Sequence, residues 1–286
     1  MNDALTISGL TKNYKDFKLN GISFSVPCGS IVGLIGENGA GKSTTIYSIL
    51  GIVVKDAGTV TILGKEEQKI DNAVRNQIGV VFDGGSFPDT LTAKKLNNIF
   101  KSVYTEWDEN QFFSLLTKLS LPADKKIKEF SKGMKMKYAL TLALSHNAEL
   151  LIMDEPTSGL DPLSRSQLLN VLNDYMENGG KGVLFSTHIT SDLDKIADML
   201  IMIHNGRIVF QEEKDFLLDN YRIIKGDKKL LTENIRQLFL NITETAFGFT
   251  GVTRHAARVQ SYLPDAITER PTIEDIMLAN LGGCGK

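Results

Sequence analysis

Residues 36–44 read GENGAGKST, set between the apolar run IVGLI and the helix-compatible stretch TTIYSIL. This is the G-x-x-x-x-G-K-[ST] spacing in a strand-to-helix setting, and the chemistry it serves is the holding of a polyphosphate. Gly36, Gly39 and Gly41 put no Cβ in the way, so the main chain through Asn38 and Ala40 can wrap the phosphates and aim its N–H groups at their charge. Lys42 is expected to meet the β- and γ-phosphates of ATP as a point charge, and the Ser43 hydroxyl is the expected magnesium ligand, with Thr44 beside it. The bland alternative is a glycine-rich turn that happens to precede a lysine; the flanking strand and helix argue against it.

About 110 residues further on, LLIMDE (150–155) ends an apolar run in two adjacent carboxylates. Successive side chains of a strand point to opposite faces, so the pair is expected to divide its work. Asp154 fits a place on the magnesium shell, and Glu155 a general base or water orienter for attack on the γ-phosphate. A solvated strand end is the usual reading of such a pair, but one joined to a phosphate cradle is not the usual case. His188 closes the run VLFSTH at the same kind of strand end, where it can hold the γ-phosphate or the attacking water. A lone histidine is more often structural; its position is what raises it here.

The elements that must position these groups are short apolar runs at 30–36, 77–82, 149–154, 182–186 and 198–203, with helical stretches between them. They read as strands buried on both faces, hence a mostly parallel sheet covered on two sides. Residues 4–32 and 58–64 are richer in β-formers and turns, which predicts an antiparallel β subdomain beside that sheet. From about 84 to 148 the strand signal stops. Leu96, Ile99, Phe100 and Val103, then Phe112, Leu115, Leu116 and Leu119, recur at helical spacing, predicting an inserted helical subdomain. Beyond about 218 the pattern changes to a small α/β appendage (219–286) with a charged helical segment at 228–238 and a final helix near 273–281. Thr272 and Asp275 approximate a capping box for that last helix, and Gly282 reads as its stop.

At 286 residues the chain suits one large core with a smaller companion. A formal net charge of −2 gives no basic footprint for nucleic acid, and none is expected as a partner. Cys28 and Cys284 lie at opposite ends without metal-ligand spacing, which suits a reducing cytosol. No signal-peptide core opens the sequence, and no apolar run approaches the roughly 20 residues of a membrane span, so a membrane role is expected to run through a partner.

Between the cradle and LLIMDE stands FSKGMKMKY (130–138), and directly after it PTSGLDP (156–162). This order of motifs resembles the nucleotide-binding subunit of a bacterial ABC transporter over residues 1 to about 218: Walker A, a helical subdomain, a signature like LSGGQ, Walker B, a D-loop and a switch histidine. IGVVFD, SKGMK and the C-terminal PTIEDIML are similar to exporters of drugs or peptide antibiotics. The resemblance implies a P-loop NTPase core, ATP and Mg2+ as cofactors, and a separate integral-membrane permease as partner. It also implies a second copy of the chain or a homologous ATPase subunit, and a place at the cytoplasmic face of the membrane. On it, Tyr14 matches the aromatic that stacks on adenine, Ser131, Lys132, Gly133 and Met134 the signature, and Asp161 the D-loop aspartate. Ser131 and Gly133 open a helix whose N–H groups form an anion site the chain's own cradle does not use, and the resemblance implies that it closes over ATP on a second subunit.

There are two departures. Lys132 replaces the first signature glycine, and Asp83 stands where the family has the Q-loop glutamine. Asp83 is expected to reach the edge shared with Ser43 and Asp154 as a magnesium-shell ligand, through water because its side chain is short; the alternative is that it caps the turn DGGS. Two other functional classes remain at this point. A non-transport ABC ATPase acting on ribosomes or DNA typically has tandem cassettes or basic linkers, and a metabolic P-loop kinase has no use for SKGM and SGLD.

Overall fold

The computed structural model describes residues 3–84, 87–177 and 182–283. Gly85, Ser86 and Cys284 lie outside the described residues. The chain runs through β1 (Asp3–Asn13), β2 (Lys18–Pro27), β3 (Ser30–Ile35) and α1 (Lys42–Ile49). It continues through β4 (Ala57–Ile62), β5 (Lys65–Glu66), α2 (Asn72–Arg75), β6 (Ile78–Val81), α3 (Ala93–Val103), α4 (Glu109–Lys118) and α5 (Lys132–Leu144). Next come β7 (Leu150–Asp154), α6 (Pro162–Glu177), β8 (Gly182–Thr187), α7 (Thr190–Ile196), β9 (Met199–His204), β10 (Arg207–Glu213) and α8 (Lys214–Asn220). The remainder is β11 (Arg222–Gly226), α9 (Glu233–Arg236), β12 (Asn241–Thr245), β13 (Gly248–Thr253), α10 (Ala256–Tyr262), β14 (Ile267–Glu269) and α11 (Ile273–Gly283).

The central sheet has the order β10-β9-β3-β8-β7-β6; β9, β3, β8, β7 and β6 are parallel, and β10 is an antiparallel edge. The five apolar runs are its parallel strands, and the alternation within them shows why they are apolar throughout. Val32, Leu34, Leu150, Ile152, Leu184 and Ile201 pack with the antiparallel sheet β2-β1-β4-β5 on one side. Ile31, Ile35, Leu151, Met153, Val183 and Phe185 pack with the helices on the other. Neither face of these strands meets water, so neither has use for a polar residue.

The inserted helices start where the sequence offers caps: Thr92 accepts from Lys95 N–H, Asp108 from Gln111 N–H and Ser131 from Met134 N–H. Phe112, Leu115 and Leu116 of α4 are buried with Met136 to Leu144 of α5. On α3 the apolar spacing overstates burial: Leu96 is buried, but Ile99 and Val103 are 45% and 60% exposed.

The appendage is an antiparallel sheet, β12-β13-β11-β14, with a small core of its own around Ile224, Leu231, Ile235, Leu238, Phe249 and Val259. The division drawn at 218 falls inside α8, and the chain turns at Tyr221. Two expectations need correction here. The charged segment 228–238 is not one helix: a single 3-10 turn (228–230) and the one-turn α9 are separated by a bend at Leu231–Thr232 that lets Leu231, Ile235 and Leu238 reach the same core. Gly282 is not a stop. The helix begins at the expected box, with Thr272 N–H donating to Asp275 Oδ2 at 2.9 Å and Asp275 N–H to Thr272 Oγ1 at 3.2 Å, but it continues through Gly282 to Gly283. A Cβ at Gly282 would come within 3.2 Å of the Asn241 side chain, so the glycine permits close packing on β12 rather than an end. Ile273 and Ile276 of α11 share the main core with Leu193 and Ile196 of α7, which fixes the appendage to the parallel domain.

Candidate nucleotide site

Four neighbouring parallel strands deliver the chemistry to one edge. In lateral order β3 leads into the cradle, β8 into His188, β7 into Asp154 and Glu155, and β6 into Asp83. At the ~4.8 Å spacing of strands, these carboxyl ends span about 14 Å, the scale of a nucleotide's phosphates and sugar. The residues meet in a cleft of about 710 Å³ lined by Tyr14, Asn38, Gly39, Gly41, Lys42, Ser43, Thr44, Asp83, Glu155 and His188.

The cradle is tight against the sheet. A Cβ at Gly36 would lie 2.3 Å from the carbonyl oxygen of Ile203 on β9, so no other residue passes there without displacing the loop. Ala40 is buried beside it. Lys42 is only 5% exposed; its Nζ donates to the carbonyls of Gly36 (2.8 Å) and Glu37 (3.2 Å) and lies 3.2 Å from Glu155 Oε1. A buried ammonium must be paired, and these groups hold it at the wall of the cleft.

Asp154 and Glu155 are placed differently, and by a device other than strand alternation. β7 ends at Asp154, which is buried and accepts from Ser186 Oγ at 2.6 Å. Glu155 has φ +49°, a left-handed conformation costly for a side-chain-bearing residue, and its N–H is held by the Ser186 carbonyl and hydroxyl at 3.1 and 3.2 Å. The turn throws the Glu155 carboxylate into the cleft, where Oε2 accepts from His188 Nδ1 at 2.7 Å while Oε1 faces Lys42. Glu155 therefore joins the cation of the cradle to the histidine of the next strand. Tyr47 of α1 reports the same concentration of negative charge: burial first, then Asp154 and Asp83, push its hydroxyl pKa up.

Among the described residues no group of three or more His, Cys, Asp or Glu is arranged to hold a metal by itself. Magnesium keeps waters and takes one or two carboxylates with substrate phosphates rather than a protein cage. The residues that could hold it are therefore Ser43, whose hydroxyl is in the cleft, and Asp154, whose carboxylate is buried at the end of β7.

Tyr14 follows β1 rather than sitting within a strand; it is 48% exposed, with its ring 6.4 Å from that of Phe17 and Lys12 over its face. Ser131, Lys132, Gly133, Met134 and Asp161 do not line the cleft. They form a separate surface where α5 begins: Asp161 accepts from Ser164 N–H at 2.9 Å, and a Cβ on Gly133 would lie 3.2 Å from Ser164 Oγ. The backbone bond from Ser164 holds the Asp161 carboxyl below its usual pKa. Asp83 belongs to both surfaces, lining the cleft while its Oδ1 lies 2.9 Å from Lys132 Nζ.

Four cleft residues were not foreseen: Asp16, Phe17, Ser158 and Asn205. Phe17 packs where a Cβ on Gly41 would fall, 2.9 Å from its ring. Asn205 sits at the NG turn between β9 and β10, a signal readable as a hairpin but not as part of a binding site.

Comparison with known proteins gives a consistent result. Residues 19–158 match the family model described as ABC transporter. The chain is 30% identical to the Nod factor export ATP-binding protein I of Rhizobium sp. (strain N33), over 98% of this chain and 97% of that protein. It is 32% identical to the lantibiotic transport ATP-binding protein SrtF of Streptococcus pyogenes, over 74% of this chain and 91% of that protein. A solved ATP-binding subunit of an ABC transporter superposes with a TM-score of 0.69 at 30% identity, covering 76% of this chain and 92% of its own. The rhizobial match extends through the appendage, whereas the streptococcal one covers only about three quarters of the chain.

Proposed function

Because the chain belongs to the ABC transporter family, in its ATP-binding branch, we propose a role for each residue of the cleft in the work that this membership assigns. The protein is an ATPase that powers a separate membrane permease. Among the described residues no helix is long and apolar enough to cross a membrane, so the permease must supply the passage. The names of the relatives favour export, of a drug, a peptide antibiotic or a similar compound, with the ATPase at the cytoplasmic face.

The observation that carries the reading is the bridge Lys42–Glu155–His188 at the cleft floor. Lys42 meets the charge of the bound phosphates in the ground state, and Tyr14 stacks on the adenine. Glu155, held by His188 on one oxygen, orients a water toward the γ-phosphate and accepts its proton, so it acts mainly in the transition state. His188 keeps the Glu155 carboxylate aimed. Magnesium, when bound, would neutralise phosphate charge; Ser43 and Asp154 are the residues that would hold it, with the Asp83 carboxylate as a further donor at the cleft. The signature residues Ser131, Lys132, Gly133 and Met134, with Asp161, face the nucleotide of a second subunit, a copy of this chain or a homologue, in a head-to-tail sandwich.

The test is light scattering of Glu155→Gln with and without ATP, beside phosphate release by the native chain. The native chain is expected to hydrolyse ATP with no added acceptor, and the variant to double its mass with ATP. A variant mass unchanged by ATP at high protein concentration would reject the sandwich.

A further inference from the structure

Two positions at which this chain departs from its family pattern, Asp83 and Lys132, lie 49 residues apart and are bonded to each other. Lys132 is the first residue of α5, and the first turn of that helix holds no acidic residue. A lysine at a helix N-terminus opposes the helix dipole, so its charge does not serve the helix and must find an anion elsewhere. In the single chain it finds Asp83 at 2.9 Å. The lysine side chain reaches Asp83 by lying across Gly159 of the SGLD loop, where a Cβ would come 3.3 Å from Nζ.

Asp83 faces two ways. It lines the cleft with Lys42 and Ser43, and a carboxylate beside a triphosphate is repelled unless a cation screens it. Lys132 supplies that cation. Yet the pair is half-exposed, 44% for Lys132 and 50% for Asp83, and bonds of this kind contribute little and open readily.

Resting on the sandwich reading above, we propose that Lys132 exchanges anions on assembly: held by its own Asp83 in the single chain, it passes to the γ-phosphate of ATP seated in the partner's cradle when two chains close. The phosphate carries more charge than a carboxylate and lies in a drier interface, so the exchange runs downhill only when ATP is present. The Asp83 carboxylate is then released toward the metal side of its own cleft. The pair thus opposes closure in every state, and only with nucleotide in the partner's cradle does the new contact of Lys132 outweigh it.

The test is a cycle of Asp83→Asn, Lys132→Gln and the double variant, all in the Glu155→Gln chain at saturating ATP and magnesium. The dimer dissociation constant is read by sedimentation, and folding is checked by circular dichroism. Exchange predicts that Asp83→Asn tightens the dimer by about two- to fivefold, the range open to a half-exposed ion pair. Lys132→Gln weakens it, and the double variant matches Lys132→Gln, because Asp83 then has nothing to hold. If both single variants shift the constant in the same direction, the pair is a static brace and the exchange is wrong. Additive effects would show that the residues act independently, which also overturns it. A Glu155→Gln parent that stays monomeric with ATP removes the sandwich itself, an outcome separable from the other two.

Discussion

The cradle and the signature surface, both assigned to phosphate in the function proposed above, are built in opposite ways. The cradle is finished within one chain: Lys42 is 5% exposed with three partners, a Cβ at Gly36 would meet β9, and β3 beneath it is buried from Ile31 to Ile35. The signature surface is open. Ser131 caps its own helix, Lys132 leans on Asp83, and both lysine and aspartate are half in water. A site that must bind before assembly can be rigid and buried, whereas one that completes another subunit's site has to stay exposed until that subunit arrives. On the proposed function, the cradle then sets affinity and chemistry in the single chain, and the signature surface sets what depends on two.

The largest effect expected from this contrast is on chemistry. Glu155→Gln is expected to lower turnover by about 10²- to 10⁴-fold, the usual contribution of a positioned base, while nucleotide binding persists. Wild-type phosphate release by the variant would take Glu155 out of the reaction. Lys42→Ala comes next, with ATP affinity reduced by roughly 10- to 100-fold, as when a charged hydrogen-bond donor is lost. Fluorescent-nucleotide titration at protein concentrations too low for dimers reads this, and an unchanged affinity would deny that the cradle acts alone.

Ser131→Ala probes the other side. Loss of the bond to Met134 N–H weakens the start of α5 by about 0.5–2 kcal/mol. ATP-driven dimerisation is expected to fall, and a loss of single-chain affinity as large as that of Lys42→Ala would erase the distinction between the two surfaces.

The smallest effect lies at the far end of α5. His146 is buried, stacks on Tyr104 at 4.1 Å and donates from Nδ1 to the Asn76 carbonyl at 2.8 Å, and burial lowers its pKa. The unfolded chain, with its histidine near pKa 6.5, then binds more protons than the folded one. The stabilising contribution is present above about pH 6.5 and is lost as pH falls through the depressed folded value, by at most about 1.4 kcal/mol per pH unit. Denaturant melts between pH 7.5 and 5.5 should show a steeper decline for the native chain than for His146→Gln; equal slopes would mean that the helical subdomain is not the acid-sensitive part.

Much of this was legible in the residues because the chemistry is local. GENGAGKST carries its own backbone conformation, and five apolar runs buried on both faces could hardly be anything but parallel strands. Ser131 and Thr272 announce their helices because a cap needs only residues three apart. Legibility failed where neighbours decide. Ile99 and Val103 have core spacing but no cover, Gly282 looks like a stop but is a packing contact with Asn241, and 228–238 bends to fill a core that its sequence does not describe.

By itself, then, the sequence determined where the phosphate-binding motif falls and on which kind of element each candidate group stands, since motif spacing and hydrophobic period act within a few residues. Only the tertiary structure decided which of those groups meet. The strand order β3-β8-β7-β6 sets Lys42, His188, Glu155 and Asp83 along one edge, and the left-handed turn at Glu155, held by Ser186 from the next strand, aims the carboxylate into the cleft. The pairing of Asp83 with Lys132 joins residues 49 positions apart, and no local propensity encodes it. It exists because the helical subdomain folds back over the sheet edge and brings two opposite charges within reach.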